Sequence, residues 1–152
     1  MTLDTEFTPN PFFALYSDMT YDNDQQTLRT ANVDAYFNSQ KNWTFDLSRR
    51  YTRDDDDIVT AQWEYKFNPK WRTALYQRWN ADTGKSQEQQ YAFVRDLHSW
   101  EVEFAYKDKR DADTGGCEVW VIFRLKAFPS VGTGNGTAFS HIAAGPGVQQ
   151  PL

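Results

Sequence analysis

Between Trp43 and Phe67 the chain reads WTFDLSRRYTRDDDDIVTAQWEYKF, and the period of this stretch decides the fold. Up to Tyr51, alternate positions carry Trp43, Phe45, Leu47, Arg49 and Tyr51, and the positions between them carry Thr44, Asp46, Ser48 and Arg50. Beyond the polar run Arg53-Asp54-Asp55-Asp56-Asp57 the alternation resumes, with Val59, Ala61, Trp63, Tyr65 and Phe67 set against Ile58, Thr60, Gln62, Glu64 and Lys66. A period of two sends successive side chains to opposite faces of a strand. The polar run is too short to hold a crossover helix, so the two strands pair antiparallel.

The same period extends in both directions. It predicts eight strands, at 12–21, 27–37, 43–52, 58–67, 71–79, 87–97, 99–107 and 118–128, separated by polar turn clusters. The connections alternate in kind: NSQKN, NPK and LHS are short, whereas DNDQQ, RDDDD, NADTGKS and DKRDADTGGC are acidic or longer. Short turns on one rim and longer loops on the other are the habit of outer-membrane barrels. The fold class expected is all-β, an antiparallel up-and-down meander of about eight strands forming an outer-membrane β-barrel or part of one. Residues 1–129 would be the barrel segment. Residues 130–152, rich in Gly with Pro146 and Pro151, have no periodicity and are expected to be a disordered tail.

The apolar face of each strand needs a cover. A soluble sheet buries it on a second layer, yet no segment has helical period and every other strand is equally one-sided. Lipid outside and water inside would satisfy both faces. Aromatic spacing agrees: Phe13 and Tyr21, Trp43 and Tyr51, and Trp71 and Trp79 are pairs eight residues apart. At ~3.3 Å per residue and a tilt of about 40°, that is a rise of roughly 20 Å, close to the ~25 Å apolar band of such barrels. These six are the expected membrane-interface aromatics, since Trp and Tyr favour the two interfaces. Arg72, Arg78, Glu101, Glu103, Arg124 and Lys126 fall on polar positions and are the candidate lumen-facing charges along a lipid head-group path. Simple cross-strand pairing would account for them equally well. Arg49 is the one charge on the apolar face of its own strand, between Leu47 and Tyr51. At the outer rim its guanidinium would meet the phosphate of an outer-leaflet lipid, or else pair with an aspartate of the adjacent loop.

Composition narrows the alternatives. With 152 residues the chain is one domain's worth, and 6 Trp, 8 Tyr and 11 Phe argue against disorder over most of it. A net charge of −5 speaks against a general nucleic-acid binder. The single cysteine, Cys117, rules out an intrachain disulfide framework and offers no nucleophile constellation. The opening MTLDTEFTPNPFF has neither the charged n-region nor the apolar core of a signal peptide. The Asp54 to Asp57 run lacks the spaced ligands of a calcium loop and reads as a solvated tip. His98 and His141 have no partner at metal-ligating spacing. Gly132, Gly134 and Gly136 lack the strand–helix context of a phosphate loop. No enzymatic constellation, cofactor or metal is expected.

One resemblance adds to this. The run YAFVRDLHSW (Tyr91 to Trp100), EVEFAYKDK after it and VWVIFRLKAFP from Val119 resemble the C-terminal end of the lipopolysaccharide-assembly outer-membrane protein, the LptD/OstA family. YKFNPKWRTALYQRWNADTG, from Tyr65, resembles the family's strand–turn–strand units. The similarity spans about 57–129 and weakens back to about residue 10. It implies a cell outer-membrane location and a very large barrel of about 26 strands that inserts lipopolysaccharide into the outer leaflet. Its implied partners are lipopolysaccharide, a lipoprotein plug, a periplasmic bridge and the barrel-assembly machinery. With about eight strands, no periplasmic domain and no first barrel strand, the chain is expected to be a C-terminal fragment. Two rivals remain open: a complete eight-stranded outer-membrane barrel with both ends on the periplasmic side, and a soluble lipocalin-like barrel with its apolar faces turned inward.

Overall fold

The computed structural model describes residues 1–110 and 115–127. Among these there is no helix, and all strands belong to one antiparallel sheet in chain order. The strands are β1 (Thr2–Asn10), β2 (Phe13–Asp22), β3 (Thr27–Asn38), β4 (Trp43–Thr52), β5 (Asp57–Asn68), β6 (Trp71–Asn80), β7 (Lys85–Asp96), β8 (Trp100–Lys109) and β9 (Gly116–Leu125). The meander is as the period dictates. The strand number differs from the expected eight: the described residues hold nine strands, because residues 2–10 form a further strand paired with β2. The expected tail at 130–152, with His141 and the glycines from Gly132 to Gly136, lies outside the described residues.

β1 alternates Leu3, Thr5 and Phe7 with Asp4 and Glu6, and it pairs with β2 from Thr2↔Thr20 to Phe7↔Leu15. Its threonines and Pro9 weaken the apolar signal. Proline is tolerated there because β1 is an edge strand. The chemistry that closes its turn is written twice in the chain. Asn10 Oδ1 accepts the Phe12 amide at 2.9 Å, and Asn68 Oδ1 accepts the Lys70 amide at 2.9 Å, each across a proline. The side chain supplies a ready-made turn acceptor and Pro fixes the next φ. On the same rim, Ser39 Oγ accepts the amides of Lys41, Asn42 and Trp43 at 3.3, 3.1 and 2.9 Å. On the opposite rim, Asp22 Oδ1 accepts from Asp24 N and Asn80 Oδ1 from Thr83 N. Gly84 there has φ of 64°, a conformation that costs other residues about 1–2 kcal/mol.

The extra strand changes where the ends lie. The N-terminal ammonium donates to Tyr21 O at 2.8 Å on the loop rim, while Lys126 N donates to Ser99 O at 3.0 Å on the short-turn rim. The two ends of the described sheet are therefore on opposite rims. An eight-stranded barrel with both ends on one side does not describe it.

Register shifts in the β1–β2, β2–β3, β5–β6 and β6–β7 pairs fall near the strand ends, so the faces persist from strand to strand through the middle of the sheet. Phe13, Phe37, Phe45, Trp63 and Leu75 align on one face, with Tyr36, Asp46, Gln62 and Tyr76 on the other. The sheet curls with the polar face inside. Side chains from β4 through β8, Arg50, Thr60, Tyr76, Gln90 and Lys107 among them, line one cavity of about 760 Å³ on that face. A flat sheet could not bring them together. Curling crowds the concave side, and Ala74, Ala92 and Ala105 meet there in register as a buried cluster. Small residues at this point leave room for their neighbours to converge.

Candidate functional site

The convex face is apolar and open. Leu47, Phe67, Phe93, Phe104, Val119, Val121 and Phe123 are all exposed on it. Most of the fully buried side chains, Val94, Glu103, Gln90 and Ile122 among them, lie on the concave face; Val102 and Asp57 are the exceptions. This inverts the pattern of a soluble barrel, whose apolar residues turn inward. A lipocalin-like interior would need the faces exchanged.

Rings run along the convex face from the short-turn rim to Trp63 in the middle of β5. Phe7, Phe13, Phe37 and Phe45 succeed one another over β1 to β4 at centroid distances of 6.5, 5.0 and 6.1 Å. Trp63, Tyr65, Phe67, Phe93 and Trp71 continue the belt, with Phe93 and Trp71 4.8 Å apart. Cross-strand aromatic pairs of this kind contribute roughly 0.2–1 kcal/mol each. Arg95, opposite Trp71 in the register, lies 4.5 Å over its ring, which keeps a cation on the apolar face by cation–π contact. Of the six expected interface aromatics, the structure puts Phe13, Trp43 and Trp71 at the short-turn ends of β2, β4 and β6. Tyr21, Tyr51 and Trp79 sit at the loop ends of the same strands. Phe45 escapes an eight-residue spacing rule because it lies one pleat inside β4, and the other remaining members of the belt because they come from the downward strands β1, β3, β5 and β7.

On the concave face the candidate charges gather into a network. Arg124 on β9 pairs with both Glu101 and Glu103 of β8, and Arg72 on β6 reaches Glu101 at 2.9 Å. That last bond passes over β7, joining strands that are not hydrogen-bonded neighbours. Lys126, just past β9, pairs with Asp96 of β7. Arg78 is set apart from this group and lines the large cavity with Glu88, Lys107 and Lys109, its Nε buried without a hydrogen-bond partner among the described residues. Glu88 pairs with Lys107 at 2.7 Å, and Arg50 with Asp34 at 2.8 Å, a further cross-strand layer that sequence reasoning did not single out.

Arg49 is engaged by the loop end of β5. Its Nε and Nη2 donate to Asp57 Oδ1 and Oδ2 at 2.9 and 2.5 Å, a two-point pair. The Asp57 side chain is 6% exposed and that of Arg49 57%. Of the two roles open to Arg49, the structure contains the aspartate pair; the guanidinium edge not held by Asp57 remains toward the exterior. Asp57→Asn should therefore disturb the rim more than Arg49→Gln. The arginine is largely exposed and can rehydrate, whereas the buried residue 57 loses its charge-assisted bonds. Comparing the denaturation midpoints of the two variants in micelles checks this, and equal midpoints would refute it.

An apolar convex face, a charged concave face and a single up-and-down meander define a class: an all-β antiparallel wall, consistent with a barrel fragment. Residues 1–71 match the LptD family, described as LPS transport system D. That stretch, β1 through the first residue of β6, is an LptD-family region. The family is the one the C-terminal motifs resemble, but the matched span lies mostly upstream of them, overlapping at Tyr65 to Trp71. One sheet carries the two together, with β5 and β6 paired from Ile58↔Asn80 to Lys66↔Arg72. The family is one of lipopolysaccharide transport rather than of enzymes and belongs in general to the outer membrane. No curated protein matches the chain.

Proposed function

We propose that this chain is a wall segment of an outer-membrane barrel that inserts lipopolysaccharide into the outer leaflet. The observation that carries the reading is the one-sidedness of a single curled sheet, apolar outside and ionic inside, in a chain with an LptD-family region. β1 and β9 are the two edges of the described sheet and do not close on each other. Exposed edges invite pairing with further strands, so a larger barrel fits better than a complete small one. In that barrel Arg72, Arg78, Glu101, Glu103, Arg124 and Lys126 face the lumen. The paired members hold the wall wet and ordered, and Arg78 stands beside the cavity where a phosphorylated head group would pass. Arg49, with its free edge toward the exterior, would touch lipopolysaccharide at the outer rim. The lipoprotein plug, the periplasmic bridge and the barrel-assembly machinery follow as partners from the family.

Reconstitution tests this. The purified chain should need detergent and become heat-resistant sheet only in micelles or bilayers. A folded monomer in plain buffer, with tryptophans shielded from an aqueous quencher, would overturn the membrane reading.

A further inference from the structure

At the short-turn rim the convex face carries a cation that no carboxylate answers. Arg95 is the next-to-last residue of β7, and Trp71, its register partner, is the first of β6. On its other side Arg95 faces Val102 of β8, two residues in from Trp100. The guanidinium lies 4.5 Å over the Trp71 ring, a contact that attracts the charge but accepts none of the N–H donors. Among the described residues no acceptor meets those donors. The carboxylates nearest in sequence are on the concave face and already taken: Asp96 pairs with Lys126, and Glu101 with Arg72 and Arg124. Asp57 and Asp108, the acidic residues at convex positions of β5 and β8, lie at the loop ends of their strands. Inward of Arg95, Phe93 and Phe104 face each other across β7 and β8, and both are exposed.

We propose that Arg95, seated on Trp71, binds the phosphate of an anionic glycerophospholipid in the leaflet that the short-turn rim meets. Every part of the site is on one face. Arg95 and Trp71 stand at strand ends, the level of the head groups, and Phe93 and Phe104 lie inward of them, where an acyl chain would run. A guanidinium held by its face on an indole keeps a planar fork of donors for two phosphate oxygens. An anionic head is favoured over a zwitterionic one, because the ammonium of the latter would lie beside Arg95 with no carboxylate on this part of the face to receive it. A cation at a membrane surface favours an anionic lipid by about fivefold. The inference rests on the membrane reading above, and its test separates the two.

The full chain is reconstituted into phosphatidylcholine vesicles containing a minor fraction of phosphatidylglycerol or phosphatidylcholine brominated on its acyl chains. Quenching assigned to Trp100, by difference from Trp100→Phe, is then compared. Brominated phosphatidylglycerol should quench Trp100 preferentially. Arg95→Gln should reduce that preference by up to about fivefold. Arg95→Lys, which keeps the charge but not the planar fork, should retain only part of it. Lys41→Gln, on the same rim in the turn between β3 and β4, should leave it intact. Equal quenching by the two lipids in the unaltered chain, or a full preference in either Arg95 variant that inserts, would overturn the site. So would an equal loss in Lys41→Gln, which would mean a diffuse charge of the rim. Loss of the preference in inorganic phosphate but not in chloride of equal ionic strength would show a bare phosphate site and overturn the lipid assignment. Failure of the unaltered chain to enter vesicles at all would instead bring down the membrane reading beneath it.

Discussion

Arg124→Met should cost the folded sheet about 3–5 kcal/mol, the penalty for leaving a buried charge without its partner. Arg124 is the common cation of Glu101 and Glu103. The Glu103 side chain is 0% exposed, and its Oε1 already lacks a hydrogen-bond partner among the described residues. Glu101 keeps Arg72, so the loss concentrates on Glu103. Adding Glu103→Leu to Arg124→Met should recover most of the stability, because an apolar pair of similar volume avoids the desolvation cost that the ion pair must offset. Urea titration of the chain folded in micelles measures both. A loss below about 1 kcal/mol for Arg124→Met would mean that water reaches Glu103 and that the network is a surface feature.

Trp63→Arg should be nearly as damaging, and for the opposite reason. Trp63 is mid-strand on the convex face, between Phe45 and Leu75 in the register and in ring contact with Tyr65 at 5.7 Å. An arginine facing the bilayer midplane costs about 2–4 kcal/mol. Asp46→Arg, one strand away on the concave face between Tyr36 and Gln62, should cost several times less because its head can stay in lumenal water. Folding yields of the two variants in bilayers of fixed composition decide the matter. Equal losses would mean that the convex face does not meet lipid.

Much of this was legible without coordinates because a strand's side-chain period is an integer. Once Trp43 and Phe45 share a face, every residue to Phe67 is assigned, and a slip of one would reverse them all. Hence the polar placement of Arg72, Glu101 and Arg124 could be read from spacing alone. β1 was lost because Thr2, Thr5, Thr8 and Pro9 dilute its apolar set, although Asn10-Pro11 repeats the turn signal of Asn68-Pro69. For Arg49, spacing left a lipid phosphate and a loop aspartate both open. Asp57 is diagonal to it across β4 and β5, a relation that depends on turn geometry.

The sequence by itself determined the local and pairwise facts: strand, face, antiparallel neighbour, the two kinds of rim, and the family its motifs resemble. Period two and short connections act over a few residues, so they survive in one dimension. Curvature is the sum of twist and crowding over many strands, and only the tertiary structure could set it. It made the charged face concave, gathered side chains from five strands around one cavity, and left the aromatic belt on the outside where nothing among the described residues covers it.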